Sequence, residues 1–246
     1  MRMLLSLAIA LSLASSAFGE EVKVYAAAVV KSPLVKMAAD YEAATGNTVV
    51  CVFDTAGATE QKFRADPAAA LLITTETLIG DRMKSGTLKD GITVRLGAVV
   101  AGIAVPPGTP KPDISTPEKL KIALLSAPRI AFSDPARGAT VGTHFVKVIE
   151  ALGIKDQVMR KATVAPDGVE TMRLVLEKKA DLGVSQTSEI VQANRDALVG
   201  PFPKEFDLST TFALWYSADI SSAARGFAVM LTSAAGREKL TAEGFR

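Results

Sequence analysis

Short apolar runs alternate with segments of helical periodicity twice along this chain, and this alternation is its most constraining feature. In the first half, the apolar runs at residues 22–25, 48–53 and 69–73 are each followed by a helical pattern. The alternation begins again between residues 116 and 185. Buried strands that alternate with amphipathic helices are typical of parallel sheets covered by helices on both faces. The sequence therefore predicts an α/β fold.

Two proline-rich segments divide the alternation into halves. They are PPGTPKP at 106–112 and GPFP at 200–203. We expect two lobes, each a doubly wound sheet, joined by hinge strands: lobe I from residues 20–104 plus 204–246, and lobe II from residues 105–203. In open α/β sheets a ligand binds beyond the carboxyl ends of the strands, which here places it in a cleft between the lobes.

Residues 1–19 predict a secretory signal peptide. Arg2 provides a positive start, an apolar stretch follows, and Ala-Phe-Gly at 17–19 forms a small-x-small cleavage site. The apolar stretch is too short to span a membrane. We therefore expect export to the periplasm, cleavage after Gly19, and a mature chain that starts at Glu20.

Composition excludes several classes of function. The chain has 28 basic and 26 acidic residues without a basic block, so a nucleic-acid partner is not expected. A single cysteine, Cys51, rules out an internal disulfide, and its place in an apolar strand predicts a buried, inert thiol. With one histidine and one cysteine we expect no metal site, and no cofactor is expected either. The expected state is a monomer.

The stretch from residue 130 to residue 153 predicts an anion site. A buried strand at 130–132 leads into a loop of small residues at 133–142, and a helix starts near Thr143. A helix that starts after such a loop points free backbone N–H groups at an anion. Arg137 adds a positive charge to the loop. An ordinary strand-to-helix turn remains the alternative interpretation.

Five stretches of the chain carry a family resemblance. They are VYAAAVVKSPLVKMAADYEAATG at 24–46, FDTAGA at 53–58, SDPARGATVGTHFVKVIEALGI at 133–154, VETMRLVLEKKADLGVSQTSEI at 169–190 and TSAAGREKLTAEGF at 232–245. The chain resembles the molybdate-binding-like branch of type II periplasmic solute-binding proteins. The resemblance implies a two-lobed fold, a small anionic solute as ligand, and an ABC transporter permease as partner.

Carried over onto this sequence, the resemblance also implies the ligand-binding turns. Molybdate binders of this family usually have a serine where Val29 stands and a tyrosine where Gln186 stands. A buried oxyanion needs many donors, and valine removes one, so these departures argue against molybdate. The implied ligand-binding positions are Ala28, Val29, Thr55, Ala56, Val141, Val169 and Gln186.

Two of these stretches are similar to a narrower subgroup. GVSQTSEI at 183–190 and SDPARGATVG at 133–142 resemble the subgroup that includes periplasmic aconitate isomerase. This resemblance implies a small polycarboxylate as ligand and, as an alternative activity, an isomerase.

The residues themselves suggest further candidates. Arg137 is the strongest ligand-binding candidate, because a guanidinium matches a carboxylate. Hydroxyl donors are expected from Thr55, Ser133 and Thr140, although turn or N-cap roles explain these residues equally well. His144, the only histidine, is the candidate general base, although a structural role is favoured for it.

Three functions remain open at this point. The leading hypothesis is a non-catalytic solute-binding protein of an ABC-type transport system that binds a small anion, either a polycarboxylate or an oxyanion. The first alternative is an aconitate-isomerase-like enzyme in the same cleft, with His144, Asp134 or Glu189 as base. The second alternative is a molybdate- or tungstate-binding protein.

Overall fold

The computed structural model describes residues 19–246 of the chain. The predicted signal peptide, apart from Gly19, lies outside the described residues. None of the helices within this part of the chain combines the length and the apolar character needed to cross a membrane.

The described residues form strands and α-helices in near-regular alternation, with four short 3-10 turns between them. The strands are β1 (Glu21–Ala27), β2 (Thr48–Asp54), β3 (Ala69–Thr75), β4 (Ile92–Ala104), β5 (Ile130–Ser133), β6 (Ala162–Ala165), β7 (Leu182–Gln186), β8 (Leu198–Pro201) and β9 (Ser209–Tyr216). The helices are α1 (Lys31–Thr45), α2 (Ala56–Ala65), α3 (Glu76–Lys84), α4 (Pro117–Ser126), α5 (Thr140–Ala151), α6 (Lys155–Met159), α7 (Gly168–Leu176), α8 (Thr187–Asn194), α9 (Ser222–Thr232) and α10 (Ala234–Ala242).

The strands and helices follow the predicted pattern, with two short elements added. The sequence interpretation treated residues 200–203 as an interruption, whereas β8 forms there and ends at Pro201. It also missed the one-turn helix α6. Both elements are so short that their own periodicity is weak, and β8 forms through its pairing with β4.

The first half of the chain builds one end of the sheet. β2, β1 and β3 lie side by side and parallel, and β9 is inserted antiparallel between β3 and β4. The other end of the sheet has β7, β5 and β6 side by side and parallel, with β7 antiparallel to β4. The predicted α/β fold with two lobes is confirmed. The two separate sheets that we predicted are instead one nine-stranded mixed sheet, because β4 pairs with strands at both ends.

β4 belongs to both lobes. Its residues 92–100 pair with β9, and its last four residues, 101–104, pair with β7 on one edge and β8 on the other. The change of partner falls between Val100 and Ala101, close to the predicted boundary between the lobes at residues 104 and 105. A single strand therefore carries the backbone hydrogen bonding from one lobe into the other.

Both faces of each lobe are covered by helices. In lobe I the buried apolar residues form one cluster that includes Leu34 and Phe227, and a second one that includes Phe63 and Ile79. In lobe II they again form two clusters, and Phe145 and Met172 represent the two faces. Each lobe thus has two layers of apolar packing around its sheet, as doubly wound folds require.

Cys51 is half-buried on β2 and packs against the core of lobe I. Its burial, with a smaller effect from Glu42, raises the pKa of the thiol to about 11. The thiol therefore stays protonated at neutral pH and is a poor nucleophile.

Candidate functional site

A cavity of about 40 Å³ lies between the lobes, at the carboxyl ends of β1, β2, β5 and β7. Carboxyl ends of parallel strands are the usual ligand position in open α/β sheets. Residues of both lobes line this central cavity. The lining residues are Ala27, Ala28, Val29, Asp54, Thr55, Ala56, Ser133, Ala139, Thr140, Val141, Asp167, Gly168, Gln186, Glu189 and Phe212.

Most of the predicted ligand-binding positions meet at this cavity. They come from four separate segments of the chain, two in each lobe. The predicted positions that line it are Ala28, Val29, Thr55, Ala56, Ser133, Thr140, Val141 and Gln186.

Two predicted positions lie elsewhere. Val169 is exposed one residue beyond the cavity-lining Gly168, and it faces a surface groove beside α1. Arg137 lies beside the central cavity, but its guanidinium is held by another residue. Its Nη2 donates to both carboxylate oxygens of Asp54, at 2.7 and 2.6 Å. The arginine is therefore engaged with the opposite lobe in this structure.

His144 lies outside the central cavity. Its Nε2 is 2.8 Å from the backbone oxygen of Phe206, and its ring stacks on Phe202 with 5.9 Å between the ring centroids. These contacts place the histidine on the side of α5 that packs against the segment from Phe202 to Phe206, away from the cavity. The geometry supports the structural role rather than the role of general base.

Four helices start at the central cavity: α2, α5, α7 and α8. The first backbone N–H groups of a helix have no partner within the helix and carry partial positive charge. The side chains of the N-cap residues cap α2 and α7. The Thr55 hydroxyl accepts from the Ala58 N–H at the start of α2, and the Asp167 carboxylate accepts from the Glu170 N–H at 2.8 Å at the start of α7. At α8, Glu189 accepts from the Gln186 N–H at 3.2 Å.

α8 also lacks a hydrogen bond to the side chain of its N-cap residue, Gln186, but the acidic Glu189 lies in its first turn. α5 has neither a side-chain cap nor an acidic residue in its first turn. Its N-cap residue is Ala139, which has no acceptor atom in its side chain. The hydroxyl-bearing residues Ser133 and Thr140 line the cavity at the same place. The start of α5 therefore offers backbone and hydroxyl donors to an anion, without an acidic side chain already in place.

Asp54 is the most heavily paired residue of the site. It is only 3% exposed and accepts from Arg137, from Lys62 at 2.8 Å and from the Thr55 N–H at 2.7 Å. Burial opposes ionisation, but the hydrogen bonds from Lys62, Thr55 and Arg137 outweigh it and hold the pKa of Asp54 below its ordinary value. Asp54 is thus a charged group that two cations neutralise.

Glu189 is the second buried acid of the site. Its Oε2 accepts from the Ser185 hydroxyl at 2.5 Å, and Gly168 packs so closely that an added Cβ would lie 2.0 Å from this oxygen. Burial raises its pKa to about 7, against the hydrogen bonds from Ser185 and Gln186 and with a further contribution from Asp167. A carboxyl group with such a pKa exchanges protons near neutral pH.

Sequence reasoning missed several residues of the cavity. Asp54 and Asp167 each directly precede a helix-starting turn, which is a detectable signal. Phe212 comes from β9, far away along the chain, and nothing in its local sequence indicates the site. Among residues 19–246 no group of three or more His, Cys, Asp or Glu side chains is arranged to hold a metal ion.

Direct contacts hold the lobes together around the cavity. The Gly57 N–H donates to the Gly138 oxygen at 3.3 Å, and an added Cβ on Gly57 would lie 2.9 Å from the Gly138 Cα. On the other side, Gln192 Nε2 donates to the Val29 oxygen at 2.7 Å. The structure therefore shows the lobes in a closed arrangement over a small cavity.

Two α/β lobes, a strand shared between them and a closed interlobe cavity define a two-lobed binding protein. Residues 22–246 match the family described as bacterial extracellular solute-binding protein, and the chain belongs to that family. This confirms the family predicted from the sequence motifs.

Similar proteins extend the comparison. An aconitate isomerase from Pseudomonas sp is 28% identical over 186 residues, which cover 72% of this chain and 68% of the relative. The periplasmic molybdate-binding protein of Azotobacter vinelandii superposes with a TM-score of 0.71 at 15% identity, covering 92% of this chain and 98% of that one. PEB3 with bound L-phospholactate, a protein of Campylobacter jejuni, gives a TM-score of 0.66 at 19% identity, covering 92% and 99%. The two solved structures share the fold with this chain.

Proposed function

We propose that this protein is a periplasmic solute-binding protein that binds a small carboxylate anion in its interlobe cavity and delivers it to an ABC-type membrane transporter. The observation that carries the proposal is the uncapped start of α5 at the closed cavity. Its N–H groups and the hydroxyls of Ser133 and Thr140 form a set of anion donors.

The lining of the cavity favours a carboxylate over molybdate. Val29 is 2% exposed and presents only methyl groups, so it offers no donor to a tetrahedral oxyanion. The bound ligand of PEB3, L-phospholactate, carries both a carboxylate and a phosphate, so this neighbour supports a small anionic ligand in general. Arg137 lies beside the cavity and is the cation nearest to the start of α5 in sequence, so it can exchange its Asp54 contact for the ligand.

A calorimetric panel tests the ligand class. L-lactate, malate, citrate and cis-aconitate are titrated against sulfate and molybdate, with wild-type protein and with Ser133→Ala. We expect a carboxylate to bind most tightly, and Ser133→Ala to weaken it by about 1 kcal/mol, the usual net value of one hydrogen bond. The proposal is refuted if molybdate binds with a sub-micromolar Kd and Ser133→Ala leaves that Kd unchanged.

Export is tested separately. Cell fractionation of a bacterial host that expresses the full chain should place the protein in the periplasmic fraction, and amino-terminal sequencing should start at Glu20. Protein that stays in the cytoplasm with Met1 intact contradicts the proposed location.

One observation favours a second candidate function, an isomerase of the aconitate type. Glu189 is a buried carboxyl at the cavity with a pKa of about 7, which suits a group that takes a proton from one carbon of an allylic carboxylate and returns it to the other end. The similarity to aconitate isomerase supports the same candidate.

The enzyme hypothesis has a direct test. Wild-type protein and Glu189→Gln are incubated with cis-aconitate, and the trans isomer is followed by chromatography. Conversion by the wild type that Glu189→Gln abolishes, and that the exposed control Glu150→Gln retains, supports the enzyme. If no conversion above the buffer blank is found, the isomerase function is rejected and only the proposed transport function remains.

A further inference from the structure

A second, larger chamber opens beside the central cavity. Its volume is about 650 Å³, and Ala56 and Thr140 line both spaces. Lobe I contributes α2, the start of α3 and the start of β9, and lobe II contributes the turn around Pro135. The chamber is therefore part of the same interlobe cleft, separated from the central cavity by small side chains.

Size limits what the central cavity can hold. The central cavity, at about 40 Å³, is much tighter than the second chamber, at about 650 Å³, and suits the carboxylate end of a ligand. A longer ligand would extend past Ala56 and Thr140. The second chamber is the adjoining space on that path.

Hydroxyl groups dominate the polar lining of the second chamber. They come from both lobes and from the starts of α3 and β9. The hydroxyl-bearing lining residues are Thr75, Thr77, Thr140, Ser209, Thr210 and Thr211.

Thr210 is the residue that points to a ligand. It is 7% exposed, it lines the chamber, and its Oγ1 has no hydrogen-bond partner among residues 19–246. A buried hydroxyl without a partner is unfavourable, and native proteins rarely leave one unsatisfied. A hydroxyl group of a ligand in the chamber would satisfy it.

The charges around the chamber are already matched or acidic. Arg82 Nε lies 3.3 Å from Oε1 of the buried Glu60, and Glu76 accepts from Arg95 at 2.5 Å. Asp81, which is exposed, adds a further negative charge to the lining. Glu60 is also paired with Arg64, and Nε of Arg82 has no hydrogen-bond partner among residues 19–246. Taken together, the acids Glu60, Glu76 and Asp81 balance the charges of Arg64, Arg82 and Arg95. The chamber thus has no excess positive charge for a second anionic group, and an uncharged polar group fits it better.

We propose that the second chamber binds an uncharged, hydroxyl-bearing arm of the ligand, whose carboxylate lies at the start of α5. The ligand class is then a hydroxylated carboxylate of the sugar-acid type. This inference rests on the proposed function, because it takes the carboxylate position from it.

Matched acids of increasing length test the chamber. Calorimetry compares glycolate, glycerate, threonate and gluconate with the corresponding alkanoates acetate, propionate, butanoate and hexanoate. We expect affinity to rise at least tenfold from glycolate to gluconate and to stay flat along the alkanoates. Thr210→Val should lower gluconate affinity about tenfold, and Thr93→Val, the same change at an exposed strand position, should not. Thr77→Val at the start of α3 provides a second variant with the same expected direction.

The outcomes separate the two proposals. If all the carboxylates bind with equal affinity, the second chamber does not bind an arm of the ligand, and the proposed function is unaffected. If citrate binds more tightly than gluconate and Thr210→Val weakens citrate binding, the chamber binds a second anionic group. That result refutes the proposal of an uncharged arm. If no carboxylate binds while the circular dichroism spectrum shows folded protein, the proposed function itself fails.

Discussion

Arg137 of lobe II and Asp54 of lobe I form an ion pair across the cleft, in which a single guanidinium nitrogen lies within 2.7 Å of both carboxylate oxygens. Asp54 is 3% exposed, so it cannot exchange this partner for water without the lobes moving apart. Lys62, on the same lobe as Asp54, keeps the carboxylate neutralised when the lobes open. The pair therefore favours the closed arrangement and competes with an anionic ligand for Arg137.

Arg137→Ala should shift the unliganded protein towards an open arrangement and lower its free energy of unfolding by about 1.5–3 kcal/mol, the range for a hydrogen bond to a charged group. Small-angle scattering should show a larger radius of gyration, and urea unfolding should give the stability change. Arg173→Ala removes a guanidinium that forms two ion pairs on the surface of α7, so it serves as the control. Exposed pairs contribute about 0–1 kcal/mol, and equal losses for both variants contradict the prediction.

Ligand binding should close the lobes about the region where β4 changes partners and about residues 201–203. The shared strand lets the lobes rotate without losing backbone hydrogen bonds within either one. Scattering of Arg137→Ala, which starts more open, should show compaction when the tightest-binding carboxylate of the panel is added. An unchanged radius of gyration at saturation counts against hinge closure.

Gly57→Ala should weaken ligand binding about tenfold or more while the fold remains intact. The added Cβ would lie 2.9 Å from the Gly138 Cα and would hold the lobes apart at the cleft. Gly80→Ala is the matched control, because it also lies in a helix of lobe I and its added Cβ meets nothing within 4 Å. Calorimetry measures the affinities. If Gly57→Ala binds the ligand with wild-type affinity, the lobes do not close as tightly as the approach of Gly57 to Gly138 implies.

Ala139→Asp should stabilise the protein without ligand and prevent anion binding. The new carboxylate would cap α5, which is worth roughly 1 kcal/mol, and would occupy the place of the ligand. Ala218→Asp adds the same charge at an exposed turn far from the cleft and should change neither property. Ligand binding by Ala139→Asp at wild-type affinity shows that the anion binds elsewhere.

Glu189 should make stability depend on pH between about 4.5 and 7. Its pKa is raised to about 7 in the folded protein, so the folded state holds a proton that the unfolded state has already released. Stability from this group is complete below the unfolded pKa and falls as pH rises to about 7, by up to about 3 kcal/mol. Glu189→Gln should remove this fall, as measured by urea unfolding at pH 5 and pH 7.5. An identical pH dependence in both proteins excludes the raised pKa.

The fold was predictable because its signals are local. The apolar face of α1 and the stop at Gly46 can be identified within 15 residues of sequence. The start of α5 was also predictable, since the loop before it has a recognisable composition. β8 was not, because its four residues form a strand only through β4.

The site was predictable in position and not in chemistry. Arg137 was expected to be available to a ligand, since nothing near it in sequence identifies a partner. Its partner Asp54 is 83 residues away and becomes adjacent only when the lobes meet. The raised pKa of Glu189 likewise comes mainly from burial by the surrounding structure, including the close approach of Gly168. These properties depend on tertiary packing, which periodicity does not encode.

The position of β9 has a consequence for the order in which the chain can fold as it is made. β9 lies between β3 and β4, so the sheet of lobe I stays divided into two open edges until the ribosome has added Tyr216. Lobe II needs only residues 101–201 for its strands, and these are complete earlier. The lobe whose strands are made first is therefore the second to be completed, and its unpaired edges need protection while the chain is synthesised.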